Sequence, residues 1–249
     1  MDVLKSVGHY IKNTDLYLIV LSLLCTGYGM VLIYSATLNP VTWQDGSTRN
    51  LFVQGAAVVI GLGAFVIMSL IDLETMSGWW KIFVLGNIGL QMLLFTPLGI
   101  ELNGQRAWLD LGVTSLQPGE LGKLIFIFTL AAHISEIREH ISEWRGLFVI
   151  GLHTLLMMGA VVISSGDTGM AIQYLMIAVI MLFAAGLSLK WLAIGGVLGI
   201  ISVPVLWNFV LQGYQITRIL VLFDPSIDPE VSRQTTYGKI AIGSGQISG

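Results

Sequence analysis

"NGQRAWLDLGVTSLQPGELGK", residues 103–123, lies between two long apolar stretches and gathers Arg106, Trp108, Gln117, Pro118, Glu120 and Lys123 where the chain leaves hydrocarbon and returns to it. A charge placed at the centre of a bilayer costs about 3 kcal/mol or more, so polar side chains at such a boundary need a physical reason. Proline suits the first position of a helix, where its missing N–H has no helical partner to lose. The stretch therefore reads as a loop that ends at Gln117 and a helix that re-enters the membrane from Pro118.

The rest of the chain supports a membrane setting. Its 249 residues are 55% hydrophobic and 11% charged, with a mean hydropathy of +0.81, outside the range of soluble globular domains. Seven apolar runs are long enough to cross a hydrocarbon core, at approximately 16–36, 51–71, 79–98, 119–136, 147–164, 168–187 and 191–211. The expected fold is an all-α polytopic membrane protein, a single membrane domain over residues 1–249 with an outer loop over 212–249. Lys5, Lys12, Lys81, Arg138, Arg145 and Lys190 fall on one side of these spans and Arg49 and Arg106 on the other; Arg218, Arg233 and Lys239 run against this bias, but belong to the longer segment after the seventh run, where it counts for less. Basic residues translocate poorly, so the N-terminus is expected in the cytoplasm. A net charge of −3 with scattered Lys and Arg argues against nucleic acid as a partner, and the single Cys25 rules out a disulfide framework.

Several residues fit the membrane frame without any function. Trp79, Trp80, Trp144 and Trp191 stand at span ends, where indole rings anchor in the headgroup region. Gly195 and Gly199 have the spacing that lets two helices approach closely. Pro97 and Pro204 are expected to end or kink their helices. His153 falls in mid-span, where an interhelical hydrogen bond is the simplest account of it.

With the N-terminus inside, the helix from Pro118 presents its positive end at the outer leaflet, where unpaired backbone N–H groups can meet an anion. "SSGDTG", residues 164–169, precedes a second helix of the same orientation, with Asp167 at its mouth. Arg106 adds a planar guanidinium suited to phosphate oxygens. Such convergence describes a pocket for a charged amphiphile. Each part also has a plainer explanation: Asp167 or Ser165 as a helix cap, Glu120 and Lys123 as a mutually neutralising pair three residues apart, Arg106 and Trp108 as ordinary interface residues. "GSGQISG", residues 243–249, does not match a nucleotide-binding glycine pattern and reads as flexible loop.

The motifs "NGQRAWLDLG", "QPGELGK", "GDTG", "FDP" and "KIAIGSG" resemble, in order and spacing, the SEDS family (RodA/FtsW/SpoVE), with the RodA-like branch nearest. The resemblance implies a ten-helix membrane glycosyltransferase of the bacterial cytoplasmic membrane. It would polymerise lipid II, an undecaprenyl pyrophosphate-linked precursor, into glycan strands at the outer face. A class B penicillin-binding protein is the implied partner, and cell elongation the implied role. Arg106, Gln117, Glu120, Lys123, Asp167 and Lys239 match polar positions around the family's cavity. Arg106 would stabilise charge, with Lys123, Lys239 or a divalent cation (Mg or Mn) held at Asp167 assisting. Gly119, Gly166 and Tyr237 stand where the family has Ser, Pro and Gln. The family's catalytic Asp belongs to a His-Thr-Asp-Phe-like motif beyond position 249, so the resemblance implies an N-terminal portion that is inactive alone. A lipid II flippase, which would need a polar path to the inner leaflet, and a non-catalytic scaffold are the rival expectations.

Overall fold

The computed structural model describes residues 15–37, 47–102, 105–112, 114–211 and 213–245. The chain divides into two compact units, Met1–Met76 and Ser77–Gly249. The first contains a hairpin of α1 (Leu16–Thr37) and α2 (Ser47–Leu70). Neither helix buries any residue of its spanning segment, as expected of helices whose solvent is lipid. A short α3 (Leu73–Ser77) follows, capped by the Asp72 carboxylate, which accepts the Glu74 N–H at 3.1 Å.

The second unit is built on four helices. α4 (Trp80–Met92) tightens into a 3-10 turn, Leu93–Phe95, and stops short of Pro97. A three-stranded antiparallel meander comes next, β1 (Gly99–Leu102), β2 (Gln105–Asp110) and β3 (Ser115–Leu116). α5 (Pro118–Glu136) packs against α4, α6 (Trp144–Ser165) and α7 (Thr168–Ala184), and so forms the centre of the bundle. Phe126 and Leu130 of α5, Ile150, Met157 and Val161 of α6 and Tyr174 of α7 make its core. α8 (Leu189–Val205) packs on α7 and buries no side chain. It passes Pro204 into a π-turn over Leu206–Val210, where the Asn208 amide donates to the Pro204 carbonyl at 2.7 Å. α9 (Gly213–Phe223) and α10 (Pro229–Gly245) then pack on each other.

Lipid tails are as apolar as leucine, so hydrocarbon burial does little to hold such helices together, and packing and interhelical hydrogen bonds matter more. His153 of α6 shows this. It is buried, with its Nδ1 3.1 Å from Nδ1 of His133 and its Nε2 3.4 Å from the Thr129 hydroxyl, both on α5. Trp80 stacks on His133 at 4.3 Å and donates its indole N–H to Glu136 at 2.9 Å. The interhelical bond expected for His153 is therefore present.

The seven expected runs coincide with helices, but only four helices among the described residues are both long and apolar enough to span: Leu16–Ser35, Asn50–Leu70, Trp144–Ser165 and Leu189–Phe209. The third and sixth runs are shorter helices, Trp80–Phe95 and Thr168–Ala184, and α5 carries charges at both ends. Other expectations need correction. Residues 213–223 and 229–245 are helical rather than loop, including Gly243 and Gly245; residues 246–249 lie outside the described ones. Nothing lies within 4 Å of a Cβ at Gly195 or Gly199, so these glycines face open space. Trp79 and Trp144 are exposed, whereas Trp191 donates its indole N–H to the Ser142 carbonyl at 2.8 Å. Lys5 and Lys12, used for orientation, lie outside the described residues.

The turn between α5 and α6 carries an exposed pair, with His140 Nδ1 2.8 Å from Glu143 Oε1. That hydrogen bond, reinforced by the carboxylate's charge, holds the His140 pKa above the ordinary histidine value. Because the folded-state value is raised, the pair stabilises the fold at pH below the unfolded histidine value, and this contribution is lost as pH rises through the folded one. NMR titration of the solubilised protein should give His140 a midpoint above free histidine, and Glu143→Gln should return it. A wild-type midpoint at or below the free value would contradict the pairing.

Candidate functional site

The first turns of α5 and α7 and the last turn of α6 lie together with the sheet, because β2 packs on both α5 and α6. Along β2 the side chains alternate: Ala107 and Leu109 are buried, while Arg106 is exposed and Trp108 half-buried. The sheet is thus fastened by its apolar face and presents the other. Gly166 ends α6 in the left-handed conformation, φ 68°, with its N–H bonded to the Val162 carbonyl. Proline holds φ near −65°, so glycine and not proline suits this turn. One residue later Asp167 caps α7, accepting the Met170 N–H at 2.9 Å.

Arg106 is held by a bond from Nη2 to the Thr96 carbonyl at 3.0 Å, and its Nε lies 3.1 Å from where a Cβ on Gly99 would stand. A Cβ at 99 would first collide with the Leu94 carbonyl, so glycine is required by the turn after α4, and the Arg106 side chain passes beside it. Among the described residues that is its only hydrogen bond, and the fork keeps further N–H donors. Gln117 is half-buried at the start of α5; its carbonyl accepts the Glu120 N–H at 3.1 Å, while its side chain makes no capping bond. Lys123 Nζ lies 2.9 Å from Glu120 Oε2 and 2.7 Å from Gln173 Oε1 of α7. The lysine side chain is only 18% exposed and the glutamate 56%, so the pair presents its carboxylate outward with the ammonium beneath. Lys239 is exposed on α10.

The structure thus joins Glu120 to Lys123 directly and sets Asp167 into the α6–α7 turn. Among the described residues, no hydrogen bond or ion pair links Arg106, Asp167 or Lys239 to the Glu120–Lys123 pair. The plainer explanations of Asp167 as a cap and of Glu120 with Lys123 as an ion pair both hold, and neither removes these groups from a common end of the bundle.

Sequence reasoning missed the residues that connect this end. Gln105 of β2 donates to the Tyr214 hydroxyl of α9 at 3.3 Å, and Gln215 donates to the Thr168 hydroxyl at the start of α7 at 2.5 Å. The sheet bearing Arg106 is therefore linked through α9 to the turn bearing Asp167. Gln173 was equally missed. Its signal is a lone amide in an otherwise apolar run, which in a membrane helix implies a polar partner.

The FtsW/RodA/SpoVE family model, described as cell cycle protein, matches residues 15–249. The chain belongs to this family. A probable peptidoglycan glycosyltransferase FtsW of Pseudomonas fluorescens (strain SBW25) is 30% identical over 224 residues, covering 88% of this chain and 54% of that protein. A chain from a peptidoglycan synthase complex, solved in a study of coordinated polymerization and crosslinking, superposes with a TM-score of 0.71 at 26% identity, covering 88% of this chain and 62% of that one. The rod shape-determining protein RodA of Thermus thermophilus gives a TM-score of 0.60 at 26% identity, covering 74% and 57%. This SEDS protein therefore has the family's polytopic helical fold, and the sequence spans less than two thirds of the first three curated relatives.

Proposed function

We propose that this SEDS protein is a peptidoglycan glycosyltransferase that polymerises lipid II at the outer face of the bacterial cytoplasmic membrane, with its N-terminus cytoplasmic and a class B penicillin-binding protein as partner. The observation that carries the proposal is the common placement of two helix N-termini, Arg106 and the Lys123–Gln173 pair at one end of the bundle. Arrangements of this kind suit a diphosphate on a lipid tail. In the proposed reaction an acceptor sugar hydroxyl attacks an anomeric carbon. The bond from that carbon to the pyrophosphate oxygen breaks, its electron pair leaves with the lipid pyrophosphate, and the hydroxyl proton goes to a base. Arg106 and Lys123 would stabilise the developing charge on the leaving group. RodA-like motifs favour elongation as the role.

Among the described residues no group of three or more His, Cys, Asp or Glu side chains converges, and Asp167 already accepts a backbone N–H. Among the same residues Asp167 Oδ1 is engaged and its other oxygen is not, a donor set that would suit a divalent cation shared with substrate phosphates, Mg or Mn; no step is assigned to it. The polar groups between this end and the other, Asn87, Gln91, Thr129, His133 and His153, are all buried. That packing supports chemistry at one leaflet over lipid transport through the bundle.

Asp167 provides a test that separates capping from charge. Asparagine caps a helix about as well as aspartate, whereas alanine costs about 1 kcal/mol. In the full-length protein Asp167→Asn should keep thermal stability and lower lipid II polymerisation about tenfold if the charge orients the site. Full activity in both Asp167→Asn and Asp167→Ala would leave Asp167 a cap alone.

A further inference from the structure

The inward face of α5, at Gly119 and Gly122, meets polar side chains from two neighbouring helices. Asn87 and Gln91 stand one turn apart on α4, each 1% exposed, and Tyr174 of α7 is 0% exposed. Asn87 Nδ2 donates to the Gly122 carbonyl at 3.0 Å, and the Tyr174 hydroxyl donates to the Gly119 carbonyl at 3.2 Å. A Cβ at Gly122 would press on the Tyr174 hydroxyl and stand 2.7 Å from Asn87 Oδ1 and 2.8 Å from Gln91 Nε2. The glycine is what allows the cluster to close.

Carbonyls inside a helix already accept the N–H four residues on. A second donor from another helix therefore adds little to the helix itself, but it fixes how the helix is rotated against its neighbours. The Asn87 amide also reaches Met157 Sδ of α6 at 3.4 Å, so the cluster touches all three helices that surround α5. A buried polar cluster joined to several helices in this way holds a geometry. The geometry in question is close by. Gln173, adjacent to Tyr174, accepts the Lys123 ammonium at 2.7 Å, so α7 grips α5 at once by a backbone carbonyl and by the lysine.

We infer that Asn87 and Tyr174 are positioning residues, which set the rotation of the first turns of α5 and so place the Lys123 ammonium for a lipid-linked pyrophosphate. The inference rests on the glycosyltransferase reading above. It is tested by a double-mutant cycle in the full-length protein, reading the Kd for undecaprenyl pyrophosphate in detergent beside the melting temperature. Lys123→Ala should weaken binding about tenfold and Tyr174→Phe about fivefold, and the double variant should bind no more weakly than Lys123→Ala alone. A structural role would not depend on the lysine. Multiplying effects, or a Tyr174→Phe affinity equal to wild type, would overturn the positioning role and leave the reading of the site intact. Unchanged affinity in Lys123→Ala would overturn that reading and the inference with it. Should Tyr174→Phe fail to fold, Asn87→Ser enters the same cycle. Failure of both to fold while Lys123→Ala folds would show that the cluster holds the bundle and not the site, which also overturns the inference.

Discussion

Arg106→Ala in the full-length protein is expected to lower the rate of glycan synthesis from lipid II by about 100-fold, the loss typical of removing one preorganised donor to a developing oxyanion. The size follows from how the side chain is held. Its bond to the Thr96 carbonyl orients the guanidinium before any substrate arrives, which lessens the ordering needed at the moment of reaction. Arg106→Lys keeps the charge but not the planar fork, and should recover only part of the loss, remaining about tenfold below wild type. Initial rates with purified lipid II measure both. A lysine variant equal to wild type would make Arg106 a point charge rather than a clamp, and an alanine variant equal to wild type would remove it from the site.

Gly122→Val is expected to destabilise the bundle by about 3 kcal/mol through overpacking. The valine would push into the Tyr174 hydroxyl, Asn87 and Gln91, which belong to two other helices and cannot all retreat together. Gly195→Val is the matching control. Nothing lies within 4 Å of a Cβ there, so its stability should change by less than about 0.5 kcal/mol. Thermal unfolding in detergent distinguishes the two; equal melting temperatures would mean that α5 does not approach α4 and α7 as closely as described.

That contrast also shows where sequence reading works and where it stops. A run of apolar residues marks a helix by length and composition, and Pro118, Gly166 and Asp167 mark its ends by their own backbone chemistry, so most helices are legible. The Glu120–Lys123 contact is legible too, since both partners lie on one helix three residues apart. Close approach between helices is different: Gly195 and Gly199 have the familiar spacing and touch nothing, while Gly119 and Gly122 carry the crowded face. Spacing identifies a smooth surface and says nothing about what meets it. The links from Lys123 to Gln173 and from Gln105 through α9 to Thr168 join residues 47 or more positions apart, and single-sequence patterns hold no record of such pairs. β2 and α10 were missed for another reason. Six residues alternating along a strand and a polar helix with seven glycines, serines and threonines both resemble loop.

In the proposed function this end of the bundle performs chemistry on lipid II rather than moving it. Proteoliposomes containing the full-length protein and the proposed penicillin-binding partner, supplied with fluorescent lipid II in both leaflets, distinguish the two. Glycan strands drawn from lipid II of one leaflet, and weakened by Arg106→Ala, are the expected result. Exchange of lipid II between leaflets without any polymer would contradict it.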